Sequence, residues 1–212
     1  MTRPMTALAA FVLTLFAALA ISAPMAAAQD SEVNTSSIVE MQVGNPDAAV
    51  TVIEYASYTC PHCARFHESS FKELKKDYID TGKINFIYRE VYFDRFGLWA
   101  SIVARCGEGA ENRFFGITDM LYEQQSDWAR QSDPNAIVER LRRIGKTAGL
   151  TDDQLDACLT DADRAQALYA LWLERSEEDN IDSTPSFIID GRKYNNMDYA
   201  EMAELIDNAL GE

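Results

Sequence analysis

The feature that most constrains this chain is a pair of cysteines, Cys60 and Cys63, placed between a buried strand and a helix. Residues 49–56 form an almost continuous apolar and β-branched run, which is typical of a central strand buried on both faces. A second strand-like segment covers residues 83–92. Apolar residues between the two strands recur at helical spacing and predict a helix that Gly82 ends. These residues are Phe66, Phe71, Leu74 and Tyr78.

The order of these elements predicts an α/β fold with an all-helical insertion. A helix between two strands favours a parallel pair joined by a right-handed crossover. Residues 98–179 contain no strand candidate, and they predict helices at Leu98–Glu108, Asn112–Gln125, Pro134–Ala148, Asp152–Leu159 and Asp161–Glu178. An Asp190-Gly191 turn between apolar runs then predicts a β-hairpin. An amphipathic helix with Met202, Leu205, Ile206 and Leu210 on one stripe closes the chain.

The N-terminus has the features of an export signal. Arg3 supplies a positive start, residues 7–21 are apolar and uncharged, and the alanines at 26–28 fit a cleavage site. We therefore expect residues 1–28 to be a signal peptide that is removed, with a retained anchor as the alternative. Residues 29–37 predict a flexible leader. The predicted location is the periplasm, where disulfides persist.

The charge of the chain excludes some partners. It contains 19 Lys and Arg against 34 Asp and Glu, a formal net charge of −15. Nucleic acids and anionic lipid surfaces are bound through clustered Lys and Arg, so neither is an expected partner.

The position of the Cys-Pro-His-Cys motif predicts redox chemistry. The positive end of a helix stabilises an anion, so Cys60 should have a lowered pKa, helped by His62, and act as the nucleophile. Pro61 fits the first helical position, where its missing N–H costs nothing. Cys63, one turn further into the helix, would resolve the mixed disulfide.

Two other interpretations of this motif stay open. Cys63 and His67 are four residues apart, so Cys60, Cys63 and His67 would in principle contribute to a metal site, although zinc prefers four ligands. A purely structural bridge is the second, but such a small ring is strained and labile. For His67 alone, we expect a solvated helix residue.

Thr184-Pro185 is the second signature, because Pro185 opens a strand as the chain leaves the helical block. A trans bond is the commoner case at a strand entrance. A cis bond would instead leave the backbone of Thr184 free to pair with an extended substrate beside the disulfide, and it would crowd the sulfurs against a metal.

These residues together resemble the DsbA family of thioredoxin-fold thiol:disulfide oxidoreductases, over the whole chain from about residue 38. The resemblance implies a thioredoxin-like domain made of residues 38–97 and 180–212, with a helical insertion at residues 98–179. It implies an attacking Cys60, a resolving Cys63 and a cis-Pro185 preceded by Thr184.

The resemblance also suggests roles beyond the two thiols. Glu54 occupies the position of a buried acid that helps to move the proton of the resolving cysteine; an ordinary ion-paired strand residue is the alternative. A DsbB-like membrane quinone reductase would reoxidise the dithiol, and no cofactor or metal is expected.

Cys106 and Cys158 depart from the simplest family pattern. If Cys60 and Cys63 pair locally, only a bridge between these two remains, and some DsbA-like proteins carry a second disulfide in the insertion. The alternative is two buried, reduced thiols that pack as small apolar groups.

The sequence thus predicts a monomeric oxidase that donates disulfides to cysteine-containing exported proteins. A disulfide isomerase or reductase of the same fold is the closest alternative, because fold does not fix the direction of exchange. A metal-binding chaperone that uses the reduced cysteines, or a holdase without redox turnover, represents other classes of function.

Overall fold

The apolar run at residues 49–56 forms the central strand of a five-stranded sheet in the computed structural model, which describes residues 33–212. The strands Val50–Ala56 and Ile84–Glu90 are parallel, as predicted, and the other neighbouring strands are antiparallel. The strands follow the order β1-β3-β2-β4-β5 and are β1 (Met41–Gly44), β2 (Val50–Ala56), β3 (Ile84–Glu90), β4 (Ser186–Ile189) and β5 (Arg192–Asn195). The predicted signal peptide and the start of the predicted leader lie outside the described residues.

Strand β2 is covered on both faces, as its composition predicts. Val52 and Ala56 belong to the main apolar core. The side chain of Tyr55 points into a second, smaller cluster with Val91 and Ile188. Thr51 and Ile53 are partly exposed, but the last three residues of β2 are all buried, so the chain that leaves its C-terminal end starts from a rigid position.

One feature of the sheet is predicted by adjacent residues, and another depends on pairing with a distant strand. The predicted hairpin is confirmed: Asp190 and Gly191 both take positive φ values, 47° and 75°, between β4 and β5. Strand β1 was not predicted from the sequence, since its four residues have no apolar run of their own. It forms as an edge strand by pairing with β3.

The helix predicted between β2 and β3 is broken. Helix α1 covers Pro61–Glu68, α2 covers Ser70–Leu74, and a π-helical turn covers Lys75–Ile79. Ser69 separates the first two with φ −124° and ψ −86°, and its hydroxyl donates to the carbonyl of Arg65 at 2.7 Å. A serine side chain that bonds the backbone in this way competes with helix continuation.

The helical insertion is confirmed, with shifted ends. The first helix of the insertion, Arg95–Ala104, is capped by Asp94, which accepts from the N–H groups of Phe96 and Gly97, so this helix begins before the predicted Leu98. It ends before Gly107, which has a φ of 76°. The helices are α3 (Arg95–Ala104), α4 (Ala110–Glu123), α5 (Gln125–Trp128), α6 (Pro134–Thr147), α7 (Asp152–Thr160) and α8 (Ala162–Glu178), and the last helix of the chain is α9 (Tyr199–Leu210).

The insertion and the sheet share one apolar core. Fully buried side chains of the insertion, such as Trp128 and Leu141, belong to the same cluster as Val52 of β2 and Met202 of α9. Residues 33–212 accordingly form one compact unit. Within them, no helix combines the length and the apolar character needed to cross a membrane.

Candidate active site

Cys60 and Cys63 lie at the junction of β2 and α1, as the sequence predicts. Cys60 is the N-cap residue of α1 in extended conformation, and Pro61 occupies the first turn. The side chains differ in access, because Cys60 is 9% exposed and Cys63 is fully buried. Pro61 and His62 are exposed beside them. The geometry therefore leaves Cys60 as the more accessible sulfur.

The surroundings of Cys60 favour a thiolate. The Cys63 thiol is the largest cause, since its hydrogen bond to the Cys60 sulfur lowers the Cys60 pKa to about 5. The Thr184 side chain and the backbone N–H groups of Cys63 and His62 lower the pKa further, against the opposing effect of burial. At neutral pH Cys60 is thus mainly the reactive, charged form.

The surroundings of Cys63 act in the opposite direction. Burial is the largest cause and raises the pKa of the Cys63 thiol far above its ordinary value. The hydrogen bond to Cys60 and the negative charge of Glu54 raise it further. Cys63 therefore keeps its proton whenever the pair is reduced.

The Thr184-Pro185 bond is cis, and it faces the cysteines. In the thiol form the sulfur of Cys60 lies 3.5 Å from the carbonyl oxygen of Thr184. Pro185 is buried, whereas Thr184 is partly exposed. The second sequence signature thus lies against the first, although the two are far apart along the chain.

Glu54 lies beneath the cysteines on β2, where it is fully buried. Its Oε2 atom lies 2.9 Å from Nε2 of His67. Two interpretations of Glu54 follow from the sequence, a buried acid near the resolving cysteine and an ion-paired strand residue. The position of Glu54 has features of both, because it is buried near Cys63 and also has an ionisable partner in His67.

The expectation that His67 is solvated is wrong. His67 is only 5% exposed, and its ring stacks on Tyr122 with the centroids 4.3 Å apart. The reason is its shared helix face with Cys63, because that face packs against the sheet. The Nε2 atom of His67 is already occupied by its contact with the carboxylate of Glu54. Within residues 33–212, no cluster of three or more His, Cys, Asp or Glu side chains is arranged to hold a metal ion.

Comparison with known proteins identifies the family of this chain. The family model described as thioredoxin matches residues 36–208. The crystal structure of alpha-DsbA1 from Wolbachia pipientis superposes with a TM-score of 0.74 at 27% identity, covering 81% of this chain and 91% of that chain. The chain belongs to the DsbA family of thioredoxin-fold proteins.

Two further relatives are named for disulfide chemistry. A Rickettsia bellii protein named for protein-disulfide oxidoreductase activity is 37% identical over 173 residues, which cover 82% of this chain and 65% of that protein. The chain thus spans less than two thirds of this relative's length. A protein-disulfide isomerase from Novosphingobium aromaticivorans superposes with a TM-score of 0.72 at 27% identity, covering 82% of this chain and 98% of that chain.

Gln125 is a site residue of this DsbA-family chain that sequence reasoning missed. Its side-chain amide donates to the carbonyl oxygens of Tyr58 and Cys60, at 2.8 and 2.9 Å. The side chain is buried and comes from α5 in the insertion. The insertion therefore holds the backbone of the active-site turn directly. A glutamine separated from the motif by 65 positions gives no sequence signal of this contact.

A surface cavity adjoins the active-site turn. Its volume is about 230 Å³, and its lining includes Thr59, Pro61, Phe96 and Arg130. Thr59 donates from its hydroxyl to Asp94, the N-cap residue of α3, at 2.8 Å. The cavity therefore opens between the motif and the insertion.

Cys106 and Cys158 meet within the insertion. Their sulfurs are 2.15 Å apart, with the Cα atoms separated by 5.8 Å, which is the arrangement of a disulfide. Cys106 follows α3 and Cys158 lies in α7. The four cysteines thus form two separate pairs, a free pair at the motif and a bridged pair in the insertion.

Proposed function

We propose that the protein is an exported thiol:disulfide oxidase that transfers its Cys60–Cys63 disulfide to cysteine-containing proteins. The observation that carries this proposal is the placement of the pair: Cys60 is the N-cap residue of α1 and the more accessible sulfur, whereas Cys63 is fully buried. This placement lowers the pKa of Cys60 to about 5 and raises that of Cys63. Stabilisation of the Cys60 thiolate favours the reduced form of the pair. A disulfide whose reduced form is stabilised is a strong oxidant.

The proposed reaction has two exchange steps. A substrate thiolate attacks the sulfur of Cys60, a new bond forms between them, and the Cys60–Cys63 bond breaks. The electron pair passes to Cys63, which takes up a proton because its pKa is raised. A second substrate thiolate then attacks the substrate sulfur of the mixed disulfide, forms the substrate disulfide and releases Cys60 as a thiolate. The substrate is oxidised by two electrons and the pair is reduced by two.

The geometry beside Cys60 supports binding of an extended substrate segment. The backbone of Thr184 lies at the sulfur of Cys60, where a segment entering the mixed disulfide would pass. Because the chain carries a net charge of −15, we expect backbone pairing and covalent capture to hold the substrate.

The direct test is transfer of the disulfide to a reduced, unfolded model protein with two cysteines. We expect the oxidised wild type to form the substrate disulfide and to become reduced in equal amount. Cys60→Ser should abolish transfer. Cys63→Ser should also fail to transfer a disulfide, because it cannot form the Cys60–Cys63 bond that the reaction donates. If Cys60→Ser retains transfer, the proposal fails.

Isomerisation of existing disulfides is a second candidate, favoured by the Novosphingobium neighbour that is named an isomerase. An isomerase acts in its reduced form and rearranges wrong disulfides without net oxidation. Refolding of a substrate with scrambled disulfides by the reduced protein, compared with oxidation of a fully reduced one, separates the two. We expect the oxidation rate to be the larger.

Export, partner and assembly complete the proposal. Residues 1–28 would direct the chain to the periplasm, where a DsbB-like quinone reductase would reoxidise the monomeric protein. Mass measurement of the protein recovered from a periplasmic extract tests the first step, since cleavage after Ala28 leaves Gln29 as the first residue. Recovery only from the cytoplasm would contradict export.

A further inference from the structure

The buried sulfur of Cys63 poses a proton-transfer problem in the proposed reaction. Cys63 must gain a proton each time the disulfide is reduced and lose it each time the pair is reoxidised. Its side chain is fully buried, so solvent does not reach it directly. A leaving thiol with a raised pKa departs slowly as a bare thiolate. A route for protons to this sulfur would therefore affect the rate.

Glu54 and His67 form the start of such a route. Glu54 acts on Cys63 through its charge, and its Oε2 atom lies 2.9 Å from Nε2 of His67. Each of the two side chains has one further buried atom, Oε1 of Glu54 and Nδ1 of His67, without a hydrogen-bond partner among residues 33–212. Buried polar atoms are almost always paired, so two adjacent exceptions need an explanation.

A cavity connects the His67 ring with the surface. Its volume is about 80 Å³, enough for about two water molecules at ~30 Å³ each. The buried rings of Phe71 and Tyr122 form its walls together with His67. Charged side chains complete the lining: Glu68, Lys72, Lys75, Asp119 and Glu123. His67 thus stands between a buried carboxyl group and a cavity that reaches charged surface residues.

We propose that His67 relays protons between this cavity and Cys63, acting through Glu54. With the neutral ring donating from Nε2 to Glu54, Nδ1 is free to accept a proton from water. When the Cys60–Cys63 bond breaks, a proton enters at Nδ1, the Nε2 proton passes to Glu54, and Glu54 delivers a proton to the Cys63 sulfur. The relay rests on the proposed exchange activity of the cysteine pair.

The two halves of the redox cycle run this relay in opposite directions. Reduction leaves the ring with its proton on Nδ1 and its Nε2 facing Glu54. Reoxidation returns the Cys63 proton through Glu54 to Nε2 and releases the Nδ1 proton to the cavity. Each half-cycle returns the proton to the ring nitrogen of His67 from which the other half-cycle starts. The stacked ring therefore does not need to flip between Tyr122 and Phe71, whose ring centroids lie 4.3 and 4.5 Å away.

The test is the rate at which dithiothreitol reduces the Cys60–Cys63 disulfide. His67→Gln keeps a donor for Glu54 but does not relay a proton. General acid–base groups usually contribute a factor of about 100 or more, so we expect the rate to fall at least about tenfold below wild type. His67→Ala should be slow as well, and added imidazole should restore its rate in proportion to concentration. Phe71→Leu is the packing control, because it loosens the same ring cluster without removing a proton carrier; imidazole should leave its rate unchanged.

Two results would overturn the relay. One is a His67→Gln rate equal to that of wild type, and the other is a slow His67→Ala variant that imidazole does not accelerate. A wild-type protein that exchanges no disulfide would instead overturn the proposed function itself. The wild-type rate is therefore measured first.

Discussion

Cys60 and Cys63 have identical side chains and lie one helical turn apart, yet their pKa values shift in opposite directions. The difference arises from position. Cys60 caps a helix and receives hydrogen bonds at its sulfur, whereas Cys63 is buried above the negative charge of Glu54. Each thiol also contributes to the shift of the other, because the Cys63 thiol donates its hydrogen bond to the Cys60 thiolate.

The titration of Cys60 tests this mutual effect. We expect the alkylation rate of the reduced protein to rise with pH about a midpoint near 5. Cys63→Ala should move the midpoint upward, because the largest stabilising contact is lost, and Cys63→Ser should move it less, because a hydroxyl donor remains. A wild-type midpoint near the ordinary value of 9.0, or no change in Cys63→Ala, would contradict this account.

At the scale of elements, the short helix α5 connects the insertion to the active-site turn. Gln125 donates to two buried carbonyl oxygens, of Tyr58 and Cys60, and its own helix is held by the fully buried Trp128. The turn that carries the nucleophile is therefore fixed on one side by β2 and on the other by the insertion.

Gln125→Leu should destabilise the protein. The substitution leaves both carbonyl oxygens without their donor, so we expect the free energy of unfolding to fall by about 1–3 kcal/mol. The neighbouring Gln124 is exposed, and Gln124→Leu should change it by less than about 0.5 kcal/mol. Denaturant unfolding of the two variants measures the difference, and equal stabilities would contradict the contact.

Elements with local signals could be predicted from the sequence. The apolar run of β2, the Asp190-Gly191 turn and the helix start after Cys60 each carry their information in a few adjacent residues. Strand β1 and the break at Ser69 could not be predicted, since one depends on pairing with β3 and the other on a side-chain hydrogen bond.

The same distinction applies to the site. Cys60, Cys63 and Pro185 are marked by motifs, and the structure brings them together. The burial of His67 depends on Glu54 and Tyr122, which come from other elements, and the contact of Gln125 spans the insertion. Such tertiary partners leave no mark at a fixed spacing in one sequence.

At the scale of the whole molecule, the Cys106–Cys158 bridge joins positions 52 residues apart within the insertion. Closing a loop of this length restricts the unfolded chain, so we expect the bridge to stabilise the protein by about 4 kcal/mol. The double variant Cys106→Ala/Cys158→Ala should lose this amount in denaturant unfolding while keeping the Cys60 titration midpoint. A loss below about 1 kcal/mol would contradict a structural role for the bridge.

The stability of the whole fold should also depend on pH through Cys60. Its folded pKa lies below the ordinary value of 9.0, so the thiolate stabilises the reduced protein fully above that value, and this contribution declines as the pH falls and is gone below about 5. The oxidised form has no Cys60 thiol and serves as the control. We expect the Tm of the reduced form, relative to that of the oxidised form, to decrease as the pH is lowered from neutral towards 5. A constant difference would contradict a stabilising thiolate.

The reduction potential of the Cys60–Cys63 pair tests the central claim most directly. A stabilised Cys60 thiolate makes the disulfide a strong oxidant, so equilibration with glutathione should give a potential near that of DsbA, about −120 mV. The double variant Cys106→Ala/Cys158→Ala should give the same reduction potential, because the bridge that it removes is separate from the Cys60–Cys63 pair. A potential near that of thioredoxin, about −270 mV, would contradict the proposal that this protein is an oxidase.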